Sequence, residues 1–185
     1  QQKDGKGQPL KNPEVTARNV GFLFDDDPSK AEAAHRRFAR FASFRTEPSG
    51  RTVPPTDWAP GLSLGSLIAE TAADGSIGEY LLCTQPRCDA VRLDGVRSFP
   101  FQKVTVANGP PFDLVAAVPG GLVQAPDVLL NVSAKPHDGR MIDFLPSADR
   151  RVRAVRIDGG RFEFRDAEGK AYVWLGDLRD LGAQR

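Results

Sequence analysis

The sequence predicts an α+β fold that is mainly antiparallel β, a small SH3-like barrel or sandwich with an N-terminal amphipathic helix. Short apolar runs separated by turn residues fill the chain from Leu62 onward, which is typical of strands. The 185 residues include 18 glycines and 15 prolines, too many turn-forming residues for a helical bundle. Helical periodicity is clear in one early segment only, so a single helix is expected before the strands.

The helix is predicted to begin at Asp27, an N-cap residue, with Pro28 at the favoured first helical position. We expect it to end near Phe44 to Thr46, before Pro48. The apolar face recurs at three- and four-residue steps. Its members are Ala31, Ala34, Phe38, Phe41 and Ala42.

Three regions follow from the composition along the chain. Residues 1–13 are polar and predict a flexible tail. Residues 14–61 predict a helical arm followed by a proline-rich linker, and residues 62–185 predict a β-rich domain. The chain starts with Gln1, and Asp177 to Leu181 has the pattern of a helix just as the chain stops, so we expect a piece of a larger protein.

The C-terminal stretch has the strongest hairpin pattern. Asp158-Gly159-Gly160 is flanked by alternating apolar residues, among them Phe162 and Phe164, a pattern typical of a tight β-turn. Residues 166–169 predict a second turn before another strand. The segment Glu79 to Thr84 predicts a buried strand earlier in the domain.

Composition excludes several classes of protein. The net charge is +1, so no global field favours nucleic acid or an acidic membrane. No apolar run approaches the roughly 20 residues of a membrane span, and no secretory signal opens the chain. Two cysteines are too few for a disulfide scaffold, which indicates a cytoplasmic protein. The 18 arginines against seven lysines suit carboxylate and phosphate ligands, although a GC-rich bacterial genome is the favoured explanation.

The segment from Leu82 to Arg92 is the most distinctive, since it places thiols, an amide, an arginine and an acid after a buried strand. A Cys88 nucleophile would need His137 as its base, with Asp89 and Arg92 nearby, so these four residues are the catalytic candidates. The structural alternative is a buried thiol with Asp89 capping a turn, and the sequence favours it.

No metal site or cofactor is predicted. Cys83 and Cys88 form a C-x4-C pair, but only His35 and His137 could complete a zinc site. Asp25, Asp26 and Asp27 could bind Mg²⁺, yet a helix N-terminus explains them better.

Two basic faces are the candidate binding surfaces, one on the predicted helix and one on the C-terminal hairpin. Either could contact a protein partner or nucleic acid. The binding candidates are Arg36, Arg37, Arg40, Arg151, Arg153 and Arg156.

The run Thr84-Gln85-Pro86-Arg87-Cys88-Asp89 resembles the T-Q-x-C-D-like element of an uncharacterised group of bacterial β-rich domains. A preceding strand, Leu62 to Ile68, and the segments Phe99 to Phe101 and Trp174 to Leu178 add to the resemblance, which covers about 62–185. The element here is one residue longer than the shorter form of the motif. In that group the domains occur in stress-response and phage-defence proteins, sometimes beside receiver-type signalling domains. The resemblance implies a signalling, sensing or assembly role, and no catalytic residue is carried over.

The sequence therefore predicts a non-enzymatic interaction or regulatory module of a bacterial stress-response or phage-defence signalling protein. Its partner would be a protein or the rest of a larger chain, with nucleic acid as a further partner and no membrane. The alternative is a small-barrel nucleic-acid-binding or RNA-cleaving enzyme, followed by a Cys/His-dependent hydrolase.

Overall fold

The computed structural model describes residues 36, 40, 43–46, 58–109, 112–117, 127–133 and 135–179. Within these residues, ten strands form one sheet, and every pairing between strands is antiparallel. The strands are β1 (Phe44–Thr46), β2 (Ser66–Thr71), β3 (Ile77–Cys83), β4 (Arg97–Val106), β5 (Leu114–Ala117), β6 (Asp127–Val132), β7 (Gly139–Phe144), β8 (Val155–Arg156), β9 (Phe162–Arg165) and β10 (Ala171–Leu178). Short 3-10 turns occupy Arg87–Ala90, Pro136–Asp138 and Asp158–Gly160. The prediction of a mainly antiparallel β protein is confirmed.

The strand order is β5-β6-β4-β3-β2-β10-β9-β8, with β1 beside β10 and β7 beside β4. This ladder is an open path with two ends, so the predicted SH3-like barrel is not supported. The physical reason is the length of β4, whose first half pairs with β7 and whose second half pairs with β6. One strand thereby serves two neighbours on the same edge, and the sheet extends further than a small barrel does.

The predicted N-terminal helix is not supported either. The structure contains no helix of seven or more residues in the part of the chain that it describes. Most of residues 27–44, the tail at 1–13 and the acidic run at 25–27 lie outside the described residues, as does His35. Phe44–Thr46, where we expected the helix to end, is a strand that pairs with β10.

Buried side chains divide between the two faces of the sheet. One face carries an aromatic core, in which the Phe144 ring lies 5.8 Å from Phe99 and 6.0 Å from Tyr172. The other carries an aliphatic core that includes Leu67, Leu130 and other leucine, valine and alanine side chains. Each fully buried large side chain contributes about 1.5–3 kcal/mol, so both faces stabilise the sheet.

Both C-terminal hairpins are confirmed. β8 and β9 pair across the turn at Asp158–Gly160, and β9 and β10 pair across residues 166–169. Phe162 and Phe164 alternate into the aromatic core, as their spacing predicts. The strand predicted at 79–84 is β3, which lies one to two residues earlier at each end.

The predicted final helix from Asp177 is wrong at its first two residues, because Asp177 and Leu178 end β10. Both are buried and are held by neighbouring strands rather than by helical hydrogen bonds. Within the described residues, no helix has the length and apolar character needed to cross a membrane.

Candidate functional site

A cavity of about 330 Å³ lies beside the C-terminal end of β10. Its walls come from residues 58–63 and from β1, together with Arg87, Ala90, Val91, Arg151 and Arg153. Backbone hydrogen bonds hold two walls together, from the Leu62 amide to the Val152 carbonyl (2.9 Å) and from the Ala154 amide to the Pro60 carbonyl (3.0 Å). We call it the arginine cavity, since Arg45, Arg87, Arg151 and Arg153 line it with Trp58 and Asp177.

A bulge in β10 places Asp177 in this cavity. The register between β10 and β2 shifts between Trp174 and Gly176, where Leu175 is an extra residue. In a regular strand, Asp177 and Trp174 would point to opposite faces. The bulge reverses this, and Asp177 lies opposite Ser66 on the side of the sheet that Trp174 occupies.

The Asp177 carboxylate is 5% exposed and is held by three neighbours. Its Oδ1 accepts hydrogen bonds from Ser66 Oγ at 2.8 Å and from Trp174 Nε1 at 3.3 Å. Its Oδ2 lies 3.6 Å from Arg45 Nη2. Burial raises the pKa of Asp177, although the hydrogen bonds and the Arg45 guanidinium act in the opposite direction. The carboxyl group is therefore a partly compensated charge at the base of the cavity.

Arg45 reaches the cavity because β1 packs closely on β10. Gly176 has a φ of +152°, and a Cβ there would lie 2.6 Å from Phe44 Cδ1 and 2.9 Å from the Thr46 carbonyl oxygen. Only glycine leaves room for β1 at this point. The close approach brings the Arg45 side chain, 45% exposed, to the mouth of the cavity.

Arg151 and Arg153 come from the segment that pairs with residues 60–62. The Arg153 guanidinium is held in place, since Nε donates to Asp149 Oδ2 at 2.9 Å and Nη1 donates to the Ala59 carbonyl at 3.0 Å. Arg151 is exposed, and no described carboxylate lies within ion-pairing distance of its guanidinium. The cavity thus combines the fixed guanidinium of Arg153 with the exposed guanidinium of Arg151, whose donors face solvent.

One side of the cavity is apolar. Trp58 is half-buried and packs edge-on against Phe162 and Trp174, with ring centroids 5.5 Å and 5.8 Å away. Pro60, which is buried, and Leu62 continue this wall. A ligand here would meet both guanidinium groups and an aromatic ring.

No protein-family model, curated protein or solved structure matches this chain. The geometry of the cavity is therefore the basis for its functional interpretation. Within the residues that the structure describes, no group of His, Cys, Asp and Glu side chains has a metal-binding arrangement.

No hydrogen bond or ion pair within the described residues joins the four catalytic candidates to one another. Cys88 and Asp89 are on the turn Arg87–Ala90, outside the arginine cavity, and no hydrogen bond joins either to His137 in the described structure. His137 is exposed on another turn and lies 3.7 Å from Asp138. Arg92 is exposed and has a left-handed backbone, with a φ of +59°.

The two cysteines are in different environments. Both thiols are free, with Cys83 buried and Cys88 exposed at the surface. Burial raises the pKa of the Cys83 thiol to about 12, so this sulfur stays protonated at neutral pH. Arg87, which lies between the two cysteines in the sequence, lines the arginine cavity. The segment from Leu82 to Arg92 therefore contributes a cation to this cavity rather than a thiol.

The predicted binding arginines have different positions. Arg151 and Arg153 line the arginine cavity. Arg156 lies over the Phe162 ring, 5.0 Å from its centroid. Arg40 forms a 3.0 Å ion pair with Asp127 at the start of β6, and Arg36 is in the described part of the chain whereas Arg37 is outside it.

Sequence reasoning did not identify Trp58 or Asp177 as site residues, and it assigned Arg45 only to the basic face of the predicted helix. The position of Asp177 depends on the bulge in β10. Within β10, Gly176 is the only residue from which this bulge could have been predicted. Arg45 and Trp58 are in the segment that predicts a helical arm and linker. Only the pairing of β1 with β10 brings Arg45 to Asp177.

Proposed function

We propose that this chain is a non-enzymatic regulatory module that binds a small oxyanion-bearing ligand in the arginine cavity. One observation carries the proposal. Arg45 from β1, Arg87 from a 3-10 turn and Arg151 with Arg153 from a third segment line the same 330 Å³ cavity. Such convergence from separate parts of the chain is typical of a binding site rather than of a solvated charged surface.

The chemistry of the guanidinium group supports an oxyanion as the ligand. Each guanidinium carries five donors in a planar fork that matches carboxylate or phosphate oxygens. The lining residues hold four arginines and one aspartate, so positive charge exceeds negative charge by three even when Asp177 is ionised. A buried oxyanion would compensate this excess, and each hydrogen bond to a charged group contributes about 1.5–3 kcal/mol.

The same residues favour binding over catalysis. Arginine stays protonated at all ordinary pH values and does not exchange protons with a substrate. Apart from the arginines, Asp177 is the only described residue of the cavity lining with an acidic or basic side chain. Ser66 and Trp174 already donate hydrogen bonds to its Oδ1. A role in stress-response or phage-defence signalling, with a protein partner, stays a prediction from the sequence.

Titration calorimetry with inorganic phosphate and pyrophosphate tests the proposal. We expect the wild-type chain to bind, and Arg151→Ala to lose about tenfold or more in affinity, since it removes charged hydrogen bonds. Arg165→Ala is the matched control, because Arg165 is an exposed arginine in a second cavity and is already paired with Glu163. It should bind as the wild type does.

Absence of binding to either anion by the wild-type chain would contradict the proposal. Equal losses in Arg151→Ala and Arg165→Ala would also contradict it, because they would show a diffuse effect of net charge. Circular dichroism checks that each variant keeps the β-sheet spectrum.

A further inference from the structure

We infer that the ligand of the arginine cavity is an aromatic phosphate monoester of the size of a nucleoside monophosphate. This inference rests on the proposed function and adds the class of ligand. The inference is based on the apolar residues of the cavity lining, among them Trp58, Pro60 and Leu62. An oxyanion alone would leave these side chains in contact with water. A ligand that carries a flat aromatic group beside its phosphate would contact both the arginines and the apolar residues that line the cavity.

Trp58 is the residue that would contact the aromatic group. Its ring is half-buried and lines the cavity. Phe162 meets it at an interplanar angle of 88° and Trp174 at 65°, so two neighbours hold the ring in place before any ligand arrives. Little conformational entropy is then lost on binding. Bases stack on such rings largely without regard to their sequence identity.

The charges indicate a dianion. Arg151 has no described carboxylate within ion-pairing distance, and Arg45 contacts Asp177 only at 3.6 Å. Both guanidinium groups therefore keep donors for a ligand, while Arg153 is committed to Asp149 and Ala59. A phosphate monoester carries a charge of about −1.5 to −2 at pH 7, which two guanidinium groups can balance.

The volume of the cavity limits the size of the ligand. At about 330 Å³, it is near the lower end of small-molecule sites, which span about 300–1,000 Å³. A mononucleotide is of this size, whereas a polynucleotide would have to continue beyond the cavity.

A ligand series on the wild-type chain is the deciding experiment. The probes are inorganic phosphate, adenosine monophosphate and adenosine. Their binding is measured by titration calorimetry and by quenching of tryptophan fluorescence. We expect adenosine monophosphate to bind about tenfold tighter than inorganic phosphate, because stacking adds to the charged contacts. Adenosine should bind at least tenfold more weakly than its monophosphate.

Two variants at Trp58 assign the difference to the ring. Trp58→Leu should bind adenosine monophosphate no more tightly than inorganic phosphate, because it loses the affinity that stacking adds. Trp58→Phe keeps an aromatic ring in the same packing and should retain most of it. If Trp58→Leu does not fold, the ligand series and Trp58→Phe still decide the question.

The outcomes separate this inference from the proposed function. Equal affinities for phosphate and adenosine monophosphate would overturn the aromatic ligand and leave oxyanion binding intact. If neither binds, both proposals are wrong. If adenosine binds as tightly as its monophosphate, the aromatic wall acts alone and the dianionic ligand is wrong.

Discussion

The arginine cavity and the second cavity of this sheet both contain cationic side chains, yet they differ in how those cations are paired. The second cavity, of about 440 Å³, is lined by Arg165 and Lys170 among others. Arg165 Nη2 lies 2.6 Å from Glu163 Oε1, and Lys170 Nζ lies 2.7 Å from Glu70 Oε1. Each of these two bases is therefore neutralised by an acid, Arg165 by its neighbour on β9 and Lys170 by an acid on β2.

Each cavity has one lining carboxylate, and the carboxylate of the arginine cavity is less well placed for ion pairing. Asp177 contacts Arg45 only at 3.6 Å and is held by hydrogen bonds from uncharged groups. The comparison teaches that the number of basic residues does not identify a binding site. What matters is whether the fold supplies carboxylates in ion-pairing geometry, since a paired guanidinium has few donors left for a ligand.

The largest effect on stability is expected from substitution of Gly176, the glycine that lets β1 approach β10 beside the arginine cavity. Gly176→Ala would place a Cβ 2.6 Å from Phe44 at a φ of +152°. We expect a loss of about 3 kcal/mol in the free energy of unfolding, because β1 must move away from β10. Denaturant unfolding measures the loss.

Gly75→Ala is the matched control in the second cavity. Gly75 has a φ of +81°, but nothing lies within 4 Å of the position of its Cβ. Only backbone strain remains, and we expect about 1 kcal/mol. Equal losses for the two variants would show that the approach of β1 to Gly176 contributes nothing.

A smaller effect is expected from the internal carboxylate. Asp177→Asn removes the negative charge that lies beside Arg45 and keeps an oxygen acceptor for Ser66 and Trp174. The affinity for sulfate should rise by about 1 kcal/mol, roughly fivefold, in a solvent-screened site. Unchanged or weaker sulfate binding would show that Asp177 does not compete with the ligand.

The pH dependence of the wild-type chain should agree with this variant. The folded state raises the pKa of Asp177 above the ordinary value of 3.8, so the folded chain binds more protons than the unfolded chain between these two values. The Asp177 contribution to stability therefore falls as pH rises through this window. Sulfate affinity should rise as pH falls through the raised pKa, and Asp177→Asn should show a flat profile there. Sulfate keeps its charge in this range, which isolates the protein group.

The smallest effect is expected in the second cavity. Lys170→Ala breaks the half-exposed pair with Glu70, and exposed ion pairs contribute about 0.2–1 kcal/mol. We expect a change below about 0.5 kcal/mol in stability and no change in phosphate affinity. A loss of phosphate binding in this variant would remove the distinction between the two cavities.

Local patterns were enough to predict much of the sheet. The Asp158-Gly159-Gly160 turn, the alternation of Phe162 with Phe164 and the apolar run of β3 all depend on neighbouring residues, and all are present. The prediction of a helix at Asp177 was wrong, because a short segment of mixed polar and apolar residues is compatible with the end of a strand as well as with the start of a helix. Pairing with β1 and β2 decided between them.

The candidate site could be predicted only in part. Arg151 and Arg153 were identified as basic residues, but as members of an exposed sheet face with Arg156. The structure separates them: two line a cavity, and Arg156 covers Phe162. Adjacent positions in a sequence do not show which arginine meets a carboxylate from a distant strand.

The sequence by itself determined the class of fold and the turns, because strand alternation and turn chemistry depend on the backbone preferences of a few adjacent residues. The tertiary structure alone decided the open strand order, the bulge that directs Asp177 inward, and the meeting of Arg45, Trp58 and Arg151 around one cavity. These features depend on pairing registers between strands far apart in the chain. A shift of one residue in such a register exchanges the two faces of a strand.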